Sequence, residues 1–193
     1  MEILVKNIIN IFTIIEGKIN LLVKDNELIK IDCLDDLDIV NNNYIKNNLN
    51  INGLDLKQFY TFSRKEDNKL ILNILYIDIV NYENIKLNNN FKLIELDKFD
   101  KNNIYINKSI EYLKKYLTLN STIKKLYPNE FILPEIQKIY EDLLDKKYDR
   151  RNFRKKLIKL DVIEDLDKIN SSKNGRPAKL YRFKEIKEDK VLF

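Results

Sequence analysis

The 193-residue chain has no histidine, no tryptophan, one cysteine, three glycines and three prolines. Without histidine there is no imidazole base, no Ser-His-Asp or Cys-His nucleophile system, and no histidine-containing metal site. The single Cys33 excludes an intramolecular disulfide and a thiolate zinc site, and it suits a reducing compartment. Gly17, Gly53 and Gly175 lie too far apart to build a phosphate-cradling glycine loop. No stretch of eighteen apolar residues occurs, so no helical membrane span is expected. Glu2, Lys6 and Glu16 interrupt the first apolar run, which therefore does not read as a signal peptide. A soluble cytoplasmic protein, nucleoid-associated if it binds DNA, is the resulting expectation, with no membrane partner. Any catalysis would fall to carboxylates, Lys, Tyr or Ser, and no residue pattern assigns a catalytic group or a metal site.

What is present is the composition of a folded protein: 44% hydrophobic and 34% charged residues. A chain of this length forms one large or two small domains and buries roughly 70% of its unfolded surface. The abundance of Asn, Ile and Lys, with runs such as Asn41–Asn43, reads as codon bias rather than function. The charge is asymmetric. Residues 1–120 carry 16 Lys/Arg against 17 Asp/Glu, whereas residues 121–193 carry 19 against 13. The excess concentrates between Lys146 and Lys159, where eight cations meet one acid, Asp149. Such a run is either a solvated helix face or the footprint of a phosphate backbone.

The first half reads as α+β with a mixed sheet. Ile8–Ile15 and Ile19–Val23, split at Glu16-Gly17-Lys18, have the pattern of a β-hairpin. Ile29–Ile31 is a further short strand. Asp35–Asn48 is polar, with Leu37, Val40, Tyr44 and Ile45 on one helical face. Phe59–Phe62 and Leu70–Val80 read as strands around a charged turn over 63–69, the second hydrophobic enough to be buried on both faces. Lys92–Leu96 is another candidate strand.

The second half reads as helices followed by a ribbon. Asn107 is placed as the N-cap of a helix running to Leu119. Pro134 opens a helix whose Ile136, Ile139, Tyr140, Leu143 and Leu144 form one stripe. That helix is expected to stop near Asp145. Asp149 caps the next helix, which buries Phe153, Leu157 and Leu160. Val162–Glu164 and Ala178–Phe183 are read as strands joined by a polar turn from Asp165 to Gly175. Helix, tight turn, basic helix and two-stranded ribbon is the layout of a winged helix-turn-helix. Arg150, Arg151, Asn152 and Arg154 stand where base readers belong, since Arg matches guanine and Asn matches adenine with paired hydrogen bonds. Lys155, Lys156 and Lys159 suit phosphates, and Lys173 and Arg176 at the ribbon tip suit the backbone or minor groove.

Phe131–Glu141, Asp149–Leu157 and Gly175–Phe183, in that order and spacing, resemble the winged-helix domain of the Nudix-related transcriptional regulators, the NrtR family. Leu56–Phe62 and Ile74–Val80 resemble parts of the Nudix-type domain of that family. The resemblance implies a Nudix-like domain over 1–103 serving as sensor and dimerisation unit, and a winged helix-turn-helix domain over 104–193. It implies a homodimer acting as a repressor on a palindromic double-stranded operator, with ADP-ribose or a related nucleotide as effector and no cofactor. A working Nudix hydrolase carries an Arg-Glu-x-x-Glu-Glu helix that binds Mg²⁺. The corresponding stretch here reads Asn43-Tyr44-Ile45-Lys46-Asn47-Asn48, with all three carboxylates replaced. The expectation is therefore not an enzyme. Two alternatives remain open on sequence: a protein-interaction module using the basic helix, and a residual nucleoside-diphosphate hydrolase relying on Asp35, Asp36 and Asp38.

Overall fold

The computed structural model describes residues 2–88, 90–100, 102–127, 129–170, 177–185 and 188–193, with Asn120 by its main chain alone. The chain divides into two compact units, Met1–Ile14 with Ile19–Tyr112, and Ile15–Lys18 with Leu113–Phe193.

The first unit is built on a six-stranded sheet. Its elements are β1 (Glu2–Ile15), β2 (Lys18–Lys24), β3 (Ile29–Cys33), α1 (Leu37–Asn48), β4 (Asn50–Ile51), β5 (Lys57–Glu66), β6 (Lys69–Ile79), β7 (Ile85–Lys86) and β8 (Phe91–Glu95). The strand order is β5-β6-β1-β2-β8, with β3 also paired to β1, and β4 and β7 form a separate small ladder. Strand β1 runs parallel to β6, and the β3, β5 and β8 pairings are antiparallel, so the sheet is mixed as expected. The first hairpin turns on Glu16 and Gly17, both at positive φ. Two consecutive positive-φ residues match the right-handed twist of the flanking strands. The expected charged turn over 63–69 is a strand for most of its length. Strand β5 continues to Glu66, and only Asp67 and Asn68 turn, with Asp67 tolerating φ 50. Arg64 and Lys65 therefore lie on a strand and not in a loop.

Alternation along β1 and β2 presents Ile9, Ile11 and Leu22 to one face, where they form a core with Ile29, Val80 and Phe91. Tyr44 of α1 packs against that cluster. The Asp36 carboxylate starts α1 by accepting from the amides of Asp38 and Ile39. Residue Asn41 of α1 is buried because it accepts a 2.9 Å hydrogen bond from the amide of buried Asn7. Strand β6 is buried from Asn73 onward, between β5 and β1. Its Asp78 is tolerated there because the carboxylate accepts from the amides of Asp55 and Ile79, at 2.7 and 2.8 Å.

The helix α2 (Ile104–Tyr116) is where the two units divide. It begins three residues before the expected Asn107. Asn103 is the cap: its side-chain oxygen accepts from the amides of Tyr105 and Ile106 at 3.0 and 3.2 Å. Ile104 and Ile106 read locally as strand formers, but burial of Tyr105 and Ile106 overrides that preference.

The second unit continues through α3 (Asn120–Leu126), β9 (Phe131–Ile132), α4 (Leu133–Leu144), α5 (Arg150–Lys159), β10 (Ile163–Asn170) and β11 (Ala178–Phe183). Helix α3 and strand β9 were not expected from sequence. Strand β9 pairs with β11, so the ribbon is a three-stranded sheet in the order β10-β11-β9. The expected turn from Asp165 is strand up to Asn170, with an irregularity in pairing between Asp165 and Ile169. Tyr181 and Phe183 are buried against Phe131 of the adjacent strand β9.

Candidate nucleic-acid interface

Helix α4 carries Pro134 in its first turn, where a missing amide costs nothing, and ends on Asp145 in the left-handed conformation. It buries Ile136, Ile139, Tyr140 and Leu143, with Leu144 half-buried. The connection to α5 is organised by Glu141. Its Oε1 accepts from Gln137 Nε2 and from the amide of Tyr148, both at 2.9 Å, and its Oε2 faces Lys147 Nζ at 3.3 Å. Gln137 also donates to the Tyr148 carbonyl at 2.8 Å, so the turn is stitched from both sides. The Gln137 and Tyr148 hydrogen bonds, with Lys147, hold the Glu141 carboxyl down at about 2. A depressed carboxyl supports the fold above its unfolded titration range, and that support is lost as pH falls toward the folded value. The Tyr148 amide resonance is therefore expected to move on acid titration with a midpoint at about 2. A midpoint at the ordinary glutamate value would show that Glu141 does not organise the turn.

Asp149 then caps α5 by accepting from the Asn152 amide at 2.9 Å. The helix buries Phe153 and Leu157, with Leu160 half-buried just beyond it, as the spacing predicted. Arg150, Arg151, Asn152, Arg154, Lys155, Lys156 and Lys159 are all exposed. Ten residues thus present six cations and no acid.

These side chains are not equivalent. Arg150, Arg151, Lys155 and Lys159 make no ion pair among the described residues, which leaves their donors available. Arg154 is turned toward the ribbon: its Nη2 lies 3.5 Å from Asp165 Oδ2, and its guanidinium sits 5.9 Å from the centre of the Tyr181 ring. Asp165 also accepts from Lys179 at 2.9 Å, and this bond leads the interactions that lower its carboxyl. Lys156 Nζ stands 4.5 Å from the centre of the Phe193 ring. Lys173 and Arg176 lie outside the described residues. Sequence reasoning missed Glu141, Asp165 and Phe193. The four-residue spacing of Gln137 and Glu141 was a usable signal for the first. Only the folded sheet brings Asp165 to Arg154.

In the first unit, the Asn43–Asn48 stretch occupies the C-terminal half of α1. Tyr44 faces the core, and Asn48 donates to the Tyr44 carbonyl at 3.0 Å. Asp35 and Asp36 accept from backbone amides at the start of the helix. Among the described residues no group of three Asp, Glu, Cys or His side chains could hold a metal ion. These residues do not fit the Mg²⁺ of a Nudix hydrolase.

The C-terminal fold and its charged face define a winged helix-turn-helix, preceded by a mixed α/β sheet unit. Residues 123–183 match the family described as the NrtR DNA-binding winged helix domain. A curated relative, the ADPR responsive transcriptional repressor NtrR of Acinetobacter baylyi, is 40% identical over 58 residues. That match takes in 30% of this chain and 23% of the relative, so the chain spans about a quarter of the length of the curated protein it matches. NrtR of Shewanella oneidensis, solved with a 27mer DNA, shares the fold at a TM-score of 0.71 and 19% identity, over 93% of both chains. A MutT/nudix family protein from Enterococcus faecalis superimposes at 0.63 and 13% identity, over 95% of this chain and 87% of the other.

Proposed function

We propose that this chain is a sequence-specific DNA-binding transcriptional regulator, acting as a homodimeric repressor on a palindromic double-stranded operator. The observation that carries the reading is α5, a capped helix seated on Phe153 and Leu157 whose outer faces present six cations without an acid. Arg150, Arg151 and Asn152 at its start read base edges, and Lys155, Lys156 and Lys159 grip phosphates. Arg154, tethered to Asp165 beside Tyr181, works at the junction of helix and ribbon. Lys173 and Arg176 contact the backbone or the minor groove. The first unit is a sensor of ADP-ribose or a related nucleotide and not a hydrolase. The name of the Acinetobacter relative supports the effector. The replacement of the metal-binding carboxylates by Tyr44, Asn47 and Asn48 supports the loss of hydrolysis.

The test is selection of bound duplexes from a random pool, repeated with ADP-ribose and NAD. Enrichment of one palindromic sequence, released by a nucleotide, is the expected outcome. Absence of any enriched sequence contradicts base recognition, and Mg²⁺-dependent turnover of ADP-ribose contradicts the non-catalytic assignment.

A further inference from the structure

Residues 189–193 return to the winged helix beyond the segment that matches the family domain. Asp189 accepts from both the amide and the hydroxyl of Ser121, at 3.0 and 2.8 Å, at the start of α3. Lys190 Nζ donates to the Leu160 carbonyl at 2.7 Å, satisfying a carbonyl at the end of α5. Val191 bridges Leu119, and the amide of fully buried Leu192 donates to the Thr118 carbonyl at 2.7 Å. Four consecutive residues are thus fastened, and they deliver the fifth to a defined place. The Phe193 ring stacks on Phe153 with centroids 4.9 Å apart and planes 8° apart, and it touches Tyr140 and Tyr148 at 4.5 and 5.1 Å. The ammonium of Lys156 stands 4.5 Å from the centre of the same ring. An aromatic face attracts a cation by its quadrupole, so the ring restrains a side chain that otherwise samples many rotamers.

We propose that Phe193 is a positioning residue for DNA binding: the strap 189–192 holds its ring, and the ring holds Lys156 where a phosphate is gripped. This rests on the reading of α5 as the DNA-contacting helix. Phe193 touches no nucleic acid itself and acts through Lys156. Without the ring the ammonium samples solvent among many rotamers and the phosphate contact is not made.

The full chain and its variants are titrated against a random-sequence duplex of roughly 20 base pairs, about two helical turns, over a series of salt concentrations. One lost phosphate contact makes the log-log salt slope shallower by about 0.9. F193L fills the seat without an aromatic face, and its slope is expected to fall by that amount, as in K156A. Their disadvantage against the unaltered chain then narrows about threefold between about 50 and about 200 mM salt. F193Y retains the unaltered slope, and F193L/K156A loses no more than K156A alone. A merely structural Phe193 would lower thermal stability and leave the slope untouched. The proposal is overturned if F193L keeps the unaltered slope, or if the losses of F193L and K156A add. Should F193L lose its cooperative unfolding transition, F193M carries the same comparison. If the unaltered chain shows no salt-dependent binding, the DNA-binding reading itself fails, an outcome distinct from failure of the Phe193 assignment.

Discussion

Phe153→Ala is expected to destabilise the winged helix by about 3–5 kcal/mol, the usual loss when a buried phenylalanine is truncated to alanine. The ring is 2% exposed and lies among Tyr140, Tyr148 and Phe193. Domains of this size are stable by only about 5–15 kcal/mol, so the variant gives up a large part of the total. Thermal unfolding followed by circular dichroism checks it, together with binding to the selected operator. Both the melting temperature and the affinity fall, because the charged face of α5 is held in place through Phe153 together with Leu157. A variant that melts with the unaltered chain would mean that Phe153 does not anchor the helix.

Arg151→Ala carries the second large effect. Arg151 is exposed in the first turn of α5 and makes no ion pair among the described residues. Its truncation is expected to remove about 1–3 kcal/mol of discrimination at one base pair of the operator. Affinity for non-cognate duplexes changes far less. Lys159→Ala behaves in the opposite way. It weakens every duplex alike and makes the salt slope shallower by about 0.9. Competition assays over single-base operator variants separate the two patterns. Equal losses on all duplexes for both variants would remove the division between readers and clamps.

The parts of this molecule that are legible in its sequence are those governed by neighbours in the chain. The Glu16-Gly17 turn announces the hairpin. Pro134, Asp145 and Asp149 punctuate α4 and α5, and the spacing of Phe153 and Leu157 identifies the buried side of the basic helix. That Asn43–Asn48 carries no carboxylate could be read directly, because it is a matter of residue type alone. What escaped depends on partners distant in sequence. Strand β9 is two residues long and exists because β11 supplies its hydrogen bonds. Asn103 and Asn107 are equally good caps by composition, and burial of Tyr105 and Ile106 selects the earlier one. Arg154 reads as one more base-contacting arginine until the fold sets Asp165 beside it. Phe193 reads as an isolated apolar residue until the aromatic seat made by Tyr140, Tyr148 and Phe153 is in view.

The parallel pairing of β1 with β6 sets Glu2 against Lys69 and Phe12 against Ile79. Strand β1 therefore has β2 and β3 at hand soon after it is made, but its β6 neighbour only once the chain has been translated through Ile79. During that interval its Ile8, Ile9, Ile11 and Phe12 have no complete shelter, and parallel pairings of such long sequence separation form slowly. Nascent copies of this chain thus pass through a sticky stage between the synthesis of β1 and that of β6, when chaperone capture of β1 has the most to offer.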